Sequence, residues 1–278
     1  MADPPHVLRY MSAEHIARKR FGQHFLVDGN VVRRIVDAID PQPGDAMVEI
    51  GPGLGALTRP LLERLRHLRA VEIDRDIAAR LRTEFPPDRL TVHQQDALDF
   101  DFASVGTEVR VVGNLPYNIS SPLLFHLASA SAVLKDLHFM LQREVVDRMA
   151  AKPDTPEYGR LSVMLQYRFS VEPLFRVPAG AFRPPPKVES AVVRLKPLRI
   201  PRQRAKDEAM LAEVVTKAFG QRRKTLRNAL RGLVPEGTLV ALGIDPGARG
   251  EVLPLEAFVA IANASFESAS SLRPSSSG

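Results

Sequence analysis

The residues best equipped for chemistry are Asn114, Leu115, Pro116 and Tyr117, which follow the apolar run Val109-Arg110-Val111-Val112. That run has the pattern of a short buried strand. The turn after it brings a carboxamide, backbone carbonyls and an aromatic ring to one point. Pro116 removes a backbone donor and fixes φ, so the turn is richer in acceptors than in amide hydrogens. Such a cluster fits a planar heterocycle carrying an exocyclic NH2. The Asn114 side-chain oxygen and the Leu115 carbonyl can accept the two amine hydrogens while Tyr117 stacks on the ring. The same residues also read as a Pro-Tyr turn with Asn as an Asx cap, so the rest of the chain must decide.

Three other strand ends carry matching groups. In Glu49-Ile50-Gly51-Pro52-Gly53-Leu54-Gly55 a strand opens into a glycine loop and then a helix, which lets the backbone approach a ligand closely. Glu72 ends the next strand, about twenty residues on, where an acid can accept both hydroxyls of a ribose. Asp96 closes the third strand, again at a carboxyl end, where open α/β sheets bind ligands. NAD and S-adenosylmethionine share an adenosine half, so both are candidates. NAD sites usually show G-x-G-x-x-G; here the spacing is G-x-G-x-G with Pro52 inside. A second acid at Asp96 suits an adenine amine better than a pyrophosphate. The ordered set Gly51, Glu72, Asp96 and Asn114 therefore favours S-adenosylmethionine.

The elements that must position these residues alternate. Val31, Val32, Ile35, Val36 and Ile39 form a helical stripe with Asp28 or Asn30 as its cap. Strands are expected at 46–50, 68–73, 90–93 and 109–112, with helices marked by Leu57, Leu61, Leu62 and Leu65 and by Ile77, Ala78 and Leu81. This β-α-β-α order predicts a mostly parallel sheet covered on both faces. Residues 161–169 and 189–195 read as later strands. After Leu195 the segment 196–201 looks like a linker, and the stripes Met210/Leu211/Val214/Val215/Ala218, Leu226/Leu230/Leu233 and Leu255/Phe258/Val259/Ala262 predict a small helical domain. Pro254 sits well at the first turn of the last helix.

At 278 residues the chain can hold one large domain and a small one. It has no cysteine, which excludes disulfides, thiolate metal sites and cysteine nucleophiles, and fits a reducing, cytoplasmic setting. No stretch reaches the length of a membrane span, and the first ten residues lack the apolar core of a signal peptide. The seven histidines show no ligand spacing, so no metal site is expected. A net charge of +6 points to a polyanionic partner. Arg18-Lys19-Arg20 and the run Gln221 to Asn228, with Arg222, Arg223, Lys224 and Arg227, are its basic segments. The second is read as a helix whose apolar positions face elsewhere, with no acid between Lys217 and Arg231.

The sequence resembles the KsgA/RsmA-type small-subunit ribosomal RNA adenine N6,N6-dimethyltransferases over nearly its whole length. The resemblance is carried by 20–26, 48–53, 114–120, 139–142, Tyr158-Gly159-Arg160-Leu161-Ser162, 182–190 and 219–228. It implies a seven-stranded Rossmann-like class I methyltransferase sheet with a smaller all-helical C-terminal domain, and S-adenosylmethionine as methyl donor. The expected division is a flexible 1–17, a methyltransferase domain 18–197, an RNA-binding domain 203–267 and a disordered tail 268–278. The implied substrate is two adjacent adenosines in the 3′-terminal hairpin of 16S rRNA, methylated within a small-subunit precursor. Nothing demands more than a monomer.

By motif, His24, Leu26, Gly51, Gly53, Glu72, Asp96 and Asn114 are the implied cofactor contacts; His24 stands where many relatives have Asn. Asn114, Leu115, Pro116 and Tyr117 are the implied catalytic set, with Phe182 as a second aromatic over the base. Arg222, Arg223, Lys224 and Arg227 are expected to track phosphates. Two alternatives share these residues: a large-subunit rRNA adenine methyltransferase, and an assembly factor in which binding outweighs catalysis.

Overall fold

The computed structural model describes residues 24–116, 119–199, 204–221 and 223–271. Contacts divide them into two units. One comprises the described residues up to Val146 with Ser170–Pro197, the other Asp147–Phe169 with the described residues from Leu198 on. The expected flexible N-terminus and the basic Arg18-Lys19-Arg20 lie outside the described residues.

The first unit is built on a sheet of seven strands in the order β4-β3-β2-β5-β6-β9-β7. In chain order these are β2 (Met47–Ile50), β3 (Leu68–Val71), β4 (Leu90–His93), β5 (Val109–Asn114), β6 (Leu134–Gln142), β7 (Phe169–Val177) and β9 (Ser190–Pro197). The pairs β2/β3, β3/β4, β2/β5 and β5/β6 are parallel, and β6/β9 is antiparallel. The short strands β1 (Phe25–Leu26) and β8 (Phe182–Arg183) pair separately, with Leu26 opposite Phe182. All of β2 and residues 109–113 of β5 are buried, the mark of a sheet covered on both faces. From β2 the chain builds outward through β3 and β4, then returns to place β5 on the other side of β2. The carboxyl ends of β2 and β5 therefore flank a topological switch point.

Helices form where apolar residues recur every third or fourth position. Helix α1 (Gly29–Ile39) buries Val32, Ile35, Val36 and Ile39, and Asp28 caps it by accepting from the Asn30 and Val31 amides. Helices α2 (Thr58–Arg64) and α3 (Arg75–Glu84) follow β2 and β3 as the alternation requires, α4 (Ser120–Ser129) follows β5, and α5 (Arg143–Ala150) follows β6. Strand β6 was not legible because Lys135, Asp136 and His138 interrupt its apolar run. The fold accommodates Asp136 by pairing: buried Arg110 donates to both its oxygens (2.9 and 3.0 Å), to Asp45 and to the Ile39 carbonyl. Burial pushes the Asp136 carboxyl up, but His138 and Arg110 outweigh it and hold it down at about 2.

The second unit is helical among its described residues after 198: α7 (Glu208–Gly220), the single turn α8 (Leu226–Ala229), α9 (Glu236–Ala241) and α10 (Leu255–Ser271). Val214, Val215, Leu226, Leu230, Phe258 and Ile261 form its core, joined by Val163 and Tyr167. The reading of 161–169 as a strand is corrected here: α6 (Arg160–Gln166) is a helix, and β7 begins only at Phe169. Leu161, Val163, Leu165, Tyr167 and Phe169 alternate as a strand would, but Leu161, Ser162, Val163 and Leu165 are all buried, so the segment is wrapped by its unit. The Ser162 hydroxyl, which donates to the Arg148 carbonyl, makes that burial possible. Helix α10 also runs into the segment expected to be a tail; residues past Ser271 lie outside the described set.

Candidate cofactor and nucleobase site

At Gly51 and Gly53, just past β2, φ is positive (64° and 55°), a region closed to most side chains. The loop turns over the end of the sheet while Gly51 N still donates to the Val71 carbonyl, so its start is fixed to β3. Next to it, β5 approaches β2 so closely that a Cβ on Gly113 would lie 2.4 Å from the Ile50 carbonyl oxygen. Gly113 was not singled out from sequence; only the register Ile50↔Gly113 reveals its role.

The loop and three strand ends enclose a cavity of about 360 Å3. Every residue expected to touch the cofactor lines it: His24 and Leu26 from the N-terminal segment, Gly51 and Gly53 from the loop, Glu72, Asp96 and Asn114 from strand ends. Leu115 and Pro116 join them. Tyr117 lies outside the described residues. Phe182 is fully buried, belongs to the core cluster that also holds Leu26, pairs with Leu26 in β1/β8, and is not among the residues lining the cavity.

Hydrogen bonds orient the polar groups. Glu72 is buried, with one carboxylate oxygen accepting from the Asp74 amide (2.8 Å) and the other from the Gly53 amide (3.4 Å). Burial raises its carboxyl above the ordinary range, and those two amides oppose the rise. Asp96 accepts from the Leu98 amide at 2.9 Å. The Asn114 Nδ2 donates to the His24 carbonyl (3.0 Å), while His24 Nδ1 lies 2.9 Å from the Pro184 carbonyl. A carbonyl can only accept, so the NH2 end of Asn114 faces His24, which leaves Oδ1 available as an acceptor.

Glu49, the penultimate residue of β2, is a site residue that sequence reading treated only as part of a strand. It lines the cavity, is 2% exposed, and accepts from the Thr58 hydroxyl at 2.7 Å. Burial pushes its carboxyl up to about 7; the Thr58 bond opposes the rise and the Glu72 charge adds to it. A charged residue inside a continuous buried strand was the available signal. Among the described residues the lining holds three carboxyl groups, Glu49, Glu72 and Asp96, and no Lys or Arg.

In the second unit, Arg223 and Lys224 are exposed in the loop between α7 and α8, and Arg222 lies outside the described residues. Gln221, Arg223, Lys224 and Thr225 are not helical, so the described part of the basic run before Leu226 sits on a loop, against the expectation of a helix face. Arg227 on α8 is half exposed and 3.4 Å from Glu236.

Fold and cavity together define a class I methyltransferase. The profile of the family described as "Ribosomal RNA adenine dimethylase" matches residues 14–265, and the chain belongs to that family. It is 63% identical over 251 residues to "Ribosomal RNA small subunit methyltransferase A" of Aromatoleum aromaticum, covering 90% of this chain and 95% of the relative. Identity to the protein of the same name in Chromobacterium violaceum is 60% over 252 residues, covering 90% and 96%. Among solved structures, a dimethyladenosine transferase from Plasmodium falciparum superposes with a TM-score of 0.74 at 25% identity, covering 86% of this chain and 96% of that one. The 23S rRNA methyltransferase ErmE gives a TM-score of 0.66 at 26% identity, covering 86% and 98%.

Proposed function

We propose that this chain transfers methyl groups from S-adenosylmethionine to N6 of two adjacent adenosines in the 3′-terminal hairpin of 16S rRNA, giving N6,N6-dimethyladenosines during small-subunit assembly. The observation that carries the reading is the Asn114 carboxamide, oriented by the His24 carbonyl at the edge of an acid-lined cavity.

The lining fits the donor. S-adenosylmethionine carries a sulfonium and an ammonium group, and a lining with Glu72 and Asp96 and, among its described residues, no Lys or Arg suits that charge. Its ribose and adenine halves match the two strand-end acids, Glu72 for the hydroxyls and Asp96 for the amine. Gly51 and Gly53 bring backbone close to the ligand, and His24 and Leu26 close the cavity from the N-terminal side. When bound, the cofactor supplies an electrophilic methyl group.

The chain's own residues align the acceptor. An adenine N6 lone pair is delocalised into the ring and is a weak nucleophile while planar. Hydrogen bonds from N6–H to Asn114 Oδ1 and the Leu115 carbonyl favour a pyramidal nitrogen and aim its lone pair. Pro116 keeps a competing amide out of this acceptor turn. The work is alignment and fixed dipoles, and the proton leaves to solvent after transfer. Tyr117 stacks on the base, worth on the order of 1–3 kcal/mol, and the target must leave its own stack to arrive. Arg222, Arg223, Lys224 and Arg227 hold phosphates of the RNA.

The partner in this reading is the small-subunit precursor with its 16S rRNA, met by a monomer in the cytoplasm. No helix among the described residues is long and apolar enough to cross a membrane. The similarity to ErmE keeps a large-subunit target as the second reading, but the relatives at 60% identity and above are named for the small subunit. Calorimetric titration with S-adenosylmethionine and with NAD tests the cofactor half. Heat with the first and none with the second is expected; the reverse would overturn it.

A further inference from the structure

At the far end of the glycine loop, outside the cavity lining, one arginine gathers two of the loop's carbonyls. Arg59 Nη1 donates to the carbonyls of Leu54 (2.8 Å) and Gly55 (3.0 Å). Its Nε donates to Glu84 at the end of α3 (2.8 Å), and Nη2 completes a forked contact with the same carboxylate oxygen. Arg80, one turn back on α3, flanks Glu84 at 3.8 Å. Both Arg59 and Glu84 are about four-fifths buried (side-chain exposure 21% and 24%), so the contact is partly shielded from solvent.

Two features tie this cluster to the cofactor loop rather than to packing alone. First, Gly55 has no side chain: a Cβ there would sit 2.9 Å from Arg59 Nη1, so the guanidinium occupies the space a larger residue would take. Second, the start of the loop is tied to β3 and Glu72 through the Gly51 and Gly53 amides, and its far end by Arg59. There Gly55 N also donates to the Pro52 carbonyl (2.9 Å) and Arg59 N to the Gly55 carbonyl (3.3 Å). Fixing the Leu54 and Gly55 carbonyls sets the planes of the peptides that follow them, and a peptide plane fixed at its oxygen is fixed at its N–H as well. Gly51, Pro52, Gly53 and Leu54 line the cavity, whereas Arg59 and Gly55 do not.

We infer that Arg59, held by Glu84, is a positioning residue that presets the glycine loop for the methyl donor without touching it. A guanidinium suits the task because it donates to two carbonyls and a carboxylate at once from a rigid plane. Preorganisation of this kind acts on affinity, since a loop already ordered loses less freedom when the ligand arrives. The inference rests on the donor assignment above and adds the device that holds the loop ready for it.

The test uses the full chain, calorimetry with S-adenosylmethionine, and steady-state methylation of immature small subunits. Arg59→Met is expected to weaken donor affinity about tenfold and raise the donor KM to match, with kcat within about twofold. Arg59→Lys, which keeps the charge but loses the fork, is expected to fall between. Glu84→Gln should weaken affinity in the same direction but less. Wild-type affinity in Arg59→Met, or a fall in kcat with affinity unchanged, would overturn the inference. Should Arg59→Met fail to fold, unaltered donor affinity in a folded Glu84→Gln would do so. Absence of donor binding by the wild-type chain would instead overturn the cofactor assignment itself.

Discussion

Glu49 and Asn114 place a buried acid and an oriented amide in the lining of one cavity. For Glu49 the sign of the pH effect follows from its raised pKa, about 7 against an ordinary 4.5. Between those values the folded chain keeps a proton that the unfolded chain has released, so this group makes stability fall as pH rises and has no further effect above about 7. Glu49→Gln removes that loss and can still accept from Thr58. Urea unfolding without ligand should show the variant gaining on wild type between pH 5 and pH 8, by up to about 3 kcal/mol. Parallel pH profiles would contradict the buried protonated carboxyl. Among single residues, Asn114, Glu72 and Asp96 were legible because each polar group stands at a strand end. Glu49 was not, because a carboxyl inside a strand reads as ordinary until burial and Thr58 are seen. The burial of Phe182 was not legible either: an aromatic before a proline run looks available, and its place in the core shows only in the fold.

At the scale of elements, the parallel half of the sheet was legible because its strands are short apolar runs ending in glycine or acid. The rest depends on compensation that a sequence does not display. Strand β6 carries Asp136 and His138 into the interior, and Arg110, many residues away in sequence, neutralises the acid. Segment 160–166 alternates like a strand yet folds as α6, where tertiary burial overrides local pattern. The close approach of β5 to β2 gives a direct prediction. Gly113→Ala would force a Cβ against the Ile50 carbonyl, in the pairing that leads into Gly51. It should cost about 1–3 kcal/mol in urea unfolding and weaken donor binding. Unchanged stability would show that the two strands part more easily than the register implies.

Across the whole molecule, charge is partitioned. The net charge is +6, yet the described residues of the cavity lining include three carboxyl groups and no Lys or Arg. Carboxyl groups line the cavity, while Arg223 and Lys224 are exposed, as the proposed RNA contact requires. Neutralising Arg222, Arg223 and Lys224 together should weaken binding to small-subunit precursors and lower the log–log salt slope by roughly 2 to 3, close to one per lost phosphate contact. Identical slopes would remove these residues from the RNA interface. The helical character of the second unit was legible from its apolar stripes. Its recruitment of Asp147–Phe169 was not, because no local signal marks a mid-chain segment as belonging with the C-terminal helices.

The central claim concerns the Asn114 turn acting on an adenine N6 beside a bound methyl donor. It is tested most directly by incubating the chain with S-adenosylmethionine and, separately, immature small and large ribosomal subunits, then measuring methylated nucleosides by mass spectrometry. N6,N6-dimethyladenosine should accumulate in small-subunit rRNA at two adjacent positions, and Asn114→Ala should reduce it at least about a hundredfold while still binding the donor. Dimethylation confined to the large subunit, or undiminished product from Asn114→Ala, would contradict the account.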